Sequence, residues 1–318
     1  MHNRGLVIFP IPGDEYREDF AAISSHIRET DPGIHVKVVH ERQPGASIGA
    51  EFGGLPNLVV SFRHGVPVPV PGRLFTCRYV PKPEQIRRYA EAGIPFPRSR
   101  LFQWGLALEP SDWGPLVIMK PTLPGTMSQG LVHLMPTDVI RRLTPRNFAP
   151  NHPIHHGPML LQSFIDTGKY PTHYRVLTLF GEPLYARATV LKQPRPSLSA
   201  PLQELLAAKI ASNASPRDRI MVGDPELLAF AKRMSQALPD VPLQGLDILK
   251  EQATGRLFAL ENNPGGNTWH FSSKLSEKTR QEKGNSREDL IRQFNALERA
   301  AQVLANATKI YAARNIGT

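Results

Sequence analysis

The stretch "FALENNPGGNTWHF" (Phe258–Phe271) decides how the rest of the chain is read. An apolar run ends in a carboxylate, two amides, a proline and two glycines, which suits a strand feeding a tight polar turn. Alternation along a strand puts Glu261 and Asn263 on one face and Asn262 on the other, so a carboxylate and an amide oxygen point at one hard cation. Upstream, "LQGLDILKEQATGR" (Leu243–Arg256) reads as a strand and a turn, and a hairpin folded there brings Asp247 to Glu261 and Asn263. Three oxygen ligands suit Mg2+, which takes a few carboxylates and fills its shell with phosphate oxygens and water. The plain alternative is that Glu261 and Asn263 cap a turn. Carboxylates closing apolar strands are costly without a partner, which weighs against it.

Working outward, "LVIMKPTLPGTMSQG" (Leu116–Gly130) ends an apolar strand in Lys120 and continues into a loop bearing Gly125, Ser128 and Gly130. Backbone N–H groups there can close over phosphates while the lysine supplies charge. Neither Gly-x-x-x-x-Gly-Lys-Ser/Thr nor Gly-x-Gly-x-x-Gly occurs, so the P-loop and dinucleotide-fold readings lose their main support. Taken alone, Lys120 reads as a snorkelling lysine and the loop as an ordinary hairpin. The segment "LLQSFIDTGKYPTHYRVLTLFGEPLYARATV" (Leu160–Val190) places Asp166 just past a strand, then Arg175 and Arg187 on two strands joined by a turn at Gly181-Glu182-Pro183. Two arginines reaching one cleft can hold a phosphoryl or carboxylate group bidentately; singly, each is as readily an exposed sheet arginine.

The remaining pattern sets the architecture. "GLVIF", "GIHVKVVH" and "NLVVSF" read as strands, with a helix in "DEYREDFAAISSHIRE" capped at Asp14, which makes a small α/β lobe with a parallel component. A helix is expected over Pro83–Ala92, a helical pair across residues 201–238, and a closing helix over Arg287–Ala313. The expectation is an α+β chain behind an N-terminal α/β lobe, in segments 1–80, 81–160 and 161–318, with the ligand between lobes.

The order of these parts resembles the ATP-grasp ligases. The resemblance rests on "AEAGIPFPRSRLF", "VIMKPTLPGTMSQG", "MLLQSFID", "HYRVLTLFGEPLYARATV", "LDILK" and "ALENNPGG", and it covers roughly residues 80 to 270. It implies the ATP-grasp fold, with ATP between two α+β lobes. Adenine would lie against Gln162, Ser163, Phe164 and Ile165, with the ribose near Asp166. Lys120 would meet the α- and β-phosphates under the loop Gly125 to Gly130, with Lys82 as the second phosphate lysine. Asp247, Glu261 and Asn263 would hold one or two Mg2+ ions, with Mn2+ a possible substitute, and Arg175 and Arg187 would be catalytic, steadying the phosphoryl or the substrate carboxylate. The implied reaction joins a small-molecule or peptide carboxylate to an amine through an acyl phosphate, releasing ADP and phosphate. A hydroxyl-directed phosphotransferase and a non-catalytic nucleotide-binding protein are the alternatives. Ser163 stands where ribosomal-protein glutamate ligases and their relatives commonly carry an acid. A homodimer is a further expectation, since such ligases commonly dimerise.

Composition fits this frame. The 318 residues are 41% hydrophobic, ample for real cores. The formal charge of +10 comes from scattered lysines and arginines without a basic run or an RNA-binding motif, so a basic cleft for polyphosphate is expected and no nucleic acid. The N-terminal apolar run is too short for a signal peptide and no stretch is long enough to span a membrane, so the cytoplasm is the expected compartment. Cys77 is the single cysteine and reads as a small buried hydrophobe. His152, His155 and His156 read as a solvent loop, and Trp104, Trp113 and Trp269 as packing.

Overall fold

The computed structural model describes residues 2–11, 13, 16–40, 45–66, 69–122, 132–208, 210, 216–265 and 295–314. The first unit is a four-stranded parallel sheet of β1 (Arg4–Phe9), β2 (Ile34–Val38), β3 (Asn57–Ser61) and β4 (Arg73–Thr76), ordered β2-β1-β3-β4. The two central strands are almost wholly buried and mostly apolar because both faces are covered. Helix α1 (Arg17–Thr30) lays Phe20, Ile23 and Ile27 on one face. On the other, α2 (Gly45–Phe52) brings Ile48 and Phe52 against Val7, Phe9 and Val59. Helix α2 and strand β4 correct the strand-helix-strand-strand reading of this segment. "GASIGAEF" carries two weak helix formers in eight residues, and β4 is only four residues long behind a proline run. The expected Asp14 cap lies outside the described residues.

Helix α3 (Lys82–Glu91) leads into a second, antiparallel sheet of β5 (Ser99–Leu101), β6 (Leu116–Pro121), β7 (His133–Pro136) and β8 (Met159–Ser163), ordered β5-β8-β6-β7. A short α4 (Pro110–Trp113) follows β5. This sheet has its own core, built on Val117, Met119, Met135 and Leu161, with Trp113 packed at its margin. Trp104 is 43% exposed and edges onto Phe102 and Phe148 at that same margin.

The third sheet is antiparallel and five-stranded: β9 (Thr172–Leu179), β10 (Glu182–Leu191), β11 (Arg217–Val222), β12 (Leu243–Lys250) and β13 (Leu257–Pro264), ordered β11-β10-β9-β12-β13. Strand β11 replaces the centre of the helical pair expected across 201–238, leaving a short α5 (Leu202–Leu206) and α6 (Pro225–Gln236) on either side. The pattern in "RDRIMV" is too polar to read as a strand because β11 is a sheet edge, half-buried along its length. Helix α6 starts where Asp224 accepts from the N–H groups of Glu226 (3.0 Å) and Leu227 (3.4 Å), with Pro225 in the first turn. It buries Leu227, Phe230, Ala231 and Met234 on the sheet face formed by Val176, Ala186, Leu246 and Ile248. The β9–β10 turn falls one residue earlier than expected, on Phe180 (φ 46°) and Gly181 (φ 86°), the positive-φ pair of a type I′ hairpin. Phe180 holds this uncommon conformation with its ring 5.2 Å from Phe75 and 6.1 Å from Tyr311.

Helix α7 (Ala296–Tyr311) is shorter than the span expected from Arg287, of which residues 287–294 lie outside the described residues. It returns to the first unit and packs on α1, β1 and β3. One core joins Leu6, Ile8, Leu58 and Val60 of the parallel sheet, Ala300, Ala301 and Leu304 of α7, and Leu177, Leu179, Tyr185 and Leu243 of the third sheet. Cys77 is buried at this junction, its Sγ 3.6 Å from the Leu243 carbonyl, and burial pushes its thiol up to about 12. Beside it, Gly265 (φ 57°) ends β13 so closely that a Cβ there would stand 2.6 Å from that of Cys77. Among the described residues no helix is long and apolar enough to cross a membrane.

Candidate active site

Strand register assembles the site. Arg187 of β10 stands opposite Arg175 of β9, Arg175 opposite Asp247 of β12, and Asp247 opposite Glu261 of β13. Directly opposed residues share a sheet face, so the four side chains form one row across the face that α6 leaves open. The register shifts between Asp247 and Ile248, so that β13 carries one extra residue, Leu260. Without this bulge Glu261 and Ala259 could not both be opposed as they are, the first to Asp247 and the second to Ile248.

Within the row the two arginines are used differently. Arg175 grips Asp247 with two parallel bonds, Nε to Oδ1 at 2.7 Å and Nη2 to Oδ2 at 2.6 Å. Burial pushes the Asp247 carboxyl up, but the Arg175 guanidinium outweighs this and holds it below the ordinary aspartate value. Asn263 adds a third donor, Nδ2 to Asp247 Oδ2 at 3.2 Å, which leaves its amide oxygen for a different partner. Arg187, by contrast, has a buried Nε without a hydrogen-bond partner among the described residues. Burial lowers its pKa to about 10, with Tyr185 opposing the shift and Arg175 and Arg219 adding to it, and a guanidinium stays charged at neutral pH regardless. His173, two residues before Arg175, is driven down to about 4 by burial and is a neutral imidazole beside the row.

Two lysines come from the other elements. Lys82, at the start of α3, pairs with Glu261 at 3.2 Å. Lys120, near the end of β6, is buried, and burial followed by repulsion from Lys82 lowers its pKa to about 8, against the pull of Glu261 and Asp247. Both line a crevice between α3, the second sheet and β13, together with Gln85, Tyr89, Phe96 and Gln162. Gln85 fastens α3 to the edge of β13, accepting from the Asn262 N–H (2.8 Å) and donating to the Asn262 carbonyl (3.1 Å).

The segment expected to meet the base runs out of β8. Gln162 is buried and donates to Ser99 Oγ at 2.8 Å. The N–H groups of Ser163 and Phe164 bond the carbonyls of Arg98 (2.9 Å) and Leu116 (3.1 Å), Phe164 packs beside Leu116 and Leu134, and Ile165 is buried. Asp166 is gripped by Arg195 (Nε to Oδ1 3.1 Å, Nη2 to Oδ2 2.9 Å) and accepts from the Gly168 N–H at 3.0 Å. Gly125, Ser128 and Gly130 lie outside the described residues. Sequence reasoning missed Tyr89, Gln85, His173 and Arg195. Lys82, Gln85 and Tyr89 share one helix face by their spacing of three and seven, a signal available before the structure. Arg195, in a proline-flanked loop, offers none.

Among the described residues, the histidines outside this site do not form a metal centre. His152 Nδ1 accepts from the Ile154 N–H at 3.1 Å, which leaves the ring proton on Nε2, and that nitrogen stands 2.9 Å from His133 Nε2. His152 Nε2–H therefore donates to His133 Nε2. Among the described residues no three histidine, cysteine or carboxylate groups gather closely enough to cage a cation. The Asp247–Glu261 pair with Asn263 is a sparser oxygen set, which fits a hard divalent cation completing its shell with phosphate and water.

No protein-family model and no curated protein matches the chain. Solved structures do. One is the ATP-grasp ligase PsnB complexed with a phosphomimetic variant of a minimal precursor, Mg and ADP, 14% identical, with a TM-score of 0.50 over 95% of this chain and 98% of that one. Another is the macrocyclase MdnC bound with precursor peptide MdnA from Microcystis aeruginosa MRC, 12% identical, with a TM-score of 0.50 over 95% and 99%. At such identities the likeness is one of fold, and it spans all three sheets: the chain has the ATP-grasp fold.

Proposed function

We propose that the chain is an ATP-dependent carboxylate–amine ligase. The observation that carries this reading is the charge layout: two carboxylates opposed on β12 and β13, Lys82 paired with the second of them, Lys120 beside Lys82 in the adjoining crevice, and at the end of the row Arg187, whose buried Nε has no partner among the described residues. Bound ATP supplies the phosphoryl group that activates a carboxylate as an acyl phosphate, and Mg2+, or Mn2+ in its place, supplies charge neutralisation at the phosphates. The protein's part is to position and neutralise.

Each residue then has a task. Lys120 and Lys82 bind phosphate oxygens, and Gly125, Ser128 and Gly130 belong to the loop over them. Asp247, Glu261 and Asn263 hold the metal, with Arg175 fixing Asp247 in place. Arg187 binds the oxyanion of the carboxylate or of the phosphoryl group in flight. The wall from Gln162 through Ser163 and Phe164 to Ile165 takes the adenine. Asp166, tied to Arg195, shapes the loop by the ribose. The amine attacks the acyl carbonyl, the amide bond forms as the acyl–oxygen bond breaks, and phosphate leaves. PsnB and MdnC are each bound with a precursor or precursor peptide, which supports including peptides among the carboxylate substrates. The scattered positive charge supports a polyphosphate ligand over a nucleic acid. We read the chain as segments 1–80, 81–160 and 161–318, acting in the cytoplasm and capable of forming a homodimer.

The test is incubation with ATP, Mg2+ and hydroxylamine against panels of amino acids, dipeptides and dicarboxylates. The ligase reading expects ADP release that depends on one carboxylate and yields its hydroxamate. Phosphorylation of a hydroxyl acceptor with no hydroxamate would turn the reading to a phosphotransferase, and failure to bind ATP at all would turn it to a non-catalytic role.

A further inference from the structure

The crevice between α3 and β6 holds a hydroxyl for which the protein provides no use. Tyr89 is 2% exposed, and its Oη is buried with no hydrogen-bond partner among the described residues. Leaving a polar group unmatched in the interior is costly, and native chains rarely tolerate it without a reason. The ring itself is accounted for, since it packs with Ile94, Val176 and Phe230. A phenylalanine would fill that space without stranding an oxygen.

The surroundings indicate what the hydroxyl is for. Tyr89 lines the same crevice as Lys82 and Lys120, two helical turns from Lys82 along one face of α3. Among the described residues, both charged groups lining that crevice, Lys82 and Lys120, are cations. Burial, aided by the nearby carboxylates Glu261 and Asp247, pushes the phenol's pKa upward, so it is a neutral donor. A lone donor beside two ammonium groups matches a ligand rich in acceptor oxygens.

We propose that the Tyr89 hydroxyl is a ligand contact, donating a hydrogen bond to a phosphate oxygen of a nucleoside di- or triphosphate held between Lys82 and Lys120. This rests on the nucleotide reading above. It adds a third phosphate donor, one that no charge pattern in the chain announces, and it gives α3 a direct role in holding the ligand beyond carrying Lys82.

The experiment is Tyr89→Phe in the full chain, measured by thermal unfolding without ligand and by calorimetric titration with ADP and Mg2+ and with adenosine. The expected result has three parts: an unliganded midpoint unchanged or raised, since the stranded oxygen is gone; ADP affinity down about tenfold, the size of one hydrogen bond to a charged group; and adenosine affinity unchanged. A lowered midpoint with ADP affinity intact would mean that the hydroxyl is bonded within the protein, and would overturn the proposal while leaving the nucleotide site standing. An equal loss for adenosine would place the contact on the base side and overturn it as well. If the wild-type chain binds neither ADP nor ATP, the proposal falls together with the nucleotide reading.

Discussion

Arg175 and Arg187 are alike in sequence and opposite in consequence. Arg175 is consumed by Asp247 in a buried bidentate pair, and removing one partner of such a pair costs about 3–5 kcal/mol because the other charge is stranded. Arg175→Met is therefore expected to lower stability by about that amount in urea unfolding. Arg187→Met strands nothing and is expected to leave stability within about 1 kcal/mol of wild type, while losing an oxyanion donor worth roughly 100- to 1,000-fold in ADP release. The same row sets two pH dependences. Asp247 has a folded pKa below its unfolded value, so its contribution to stability is present above about pH 4, the unfolded aspartate value, and is lost as pH falls through the folded pKa. Lys120 is lowered to about 8, so phosphate meets a charged ammonium below that pH and an increasingly neutral amine above it. ADP affinity measured by calorimetry is expected to fall between about pH 7 and 9, and Lys120→Met to flatten that fall. The residue types at Arg175, Arg187, Asp247 and Glu261 were legible from alternation along strands. Their division into engaged and free was not, because it follows from cross-strand register and from the single extra residue at Leu260.

Elements were legible where their period was strong and hidden where an edge or a turn governed. Helix α6 lies within the helical pair expected across residues 201–238, and its cap is measurable: Asp224→Ala is expected to cost about 1 kcal/mol in unfolding free energy, through the lost bonds to Glu226 and Leu227. A little more follows from Lys250, which pairs with Asp224 at 3.3 Å near the surface. Strand β11 and helix α2 were hidden for opposite reasons, the one a polar edge, the other a short helix with little polar face. The β9–β10 turn was misplaced by one residue because turn rules favour glycine, asparagine or aspartate at positive φ, whereas Phe180 occupies that site. Contacts with Phe75 and Tyr311, distant in sequence, offset the local cost.

At the scale of the molecule, the parallel sheet, α7 and the third sheet share one core, while the second sheet keeps a core of its own. The ATP-grasp order of motifs was readable over residues 80 to 270, but this partition was not, since α7 stands far in sequence from the strands it covers. Gly265 is where the end of β13 meets the first unit, and Gly265→Ala would bring a methyl against Cys77 and the Phe62 carbonyl at positive φ. We expect it to cost about 1–3 kcal/mol in chemical unfolding, with the loss shared by the parallel sheet and the third sheet because their core is common.

The tryptophans divide the chain optically. Trp104 and Trp113 both flank the core of the second sheet, and the third, Trp269, comes five residues after Pro264, the last residue of β13, in sequence. With Trp269 replaced by phenylalanine, indole emission becomes a signal from the second sheet alone. Far-ultraviolet circular dichroism still averages over every sheet. A comparison of the two signals therefore times the second sheet against the whole without an added dye or label.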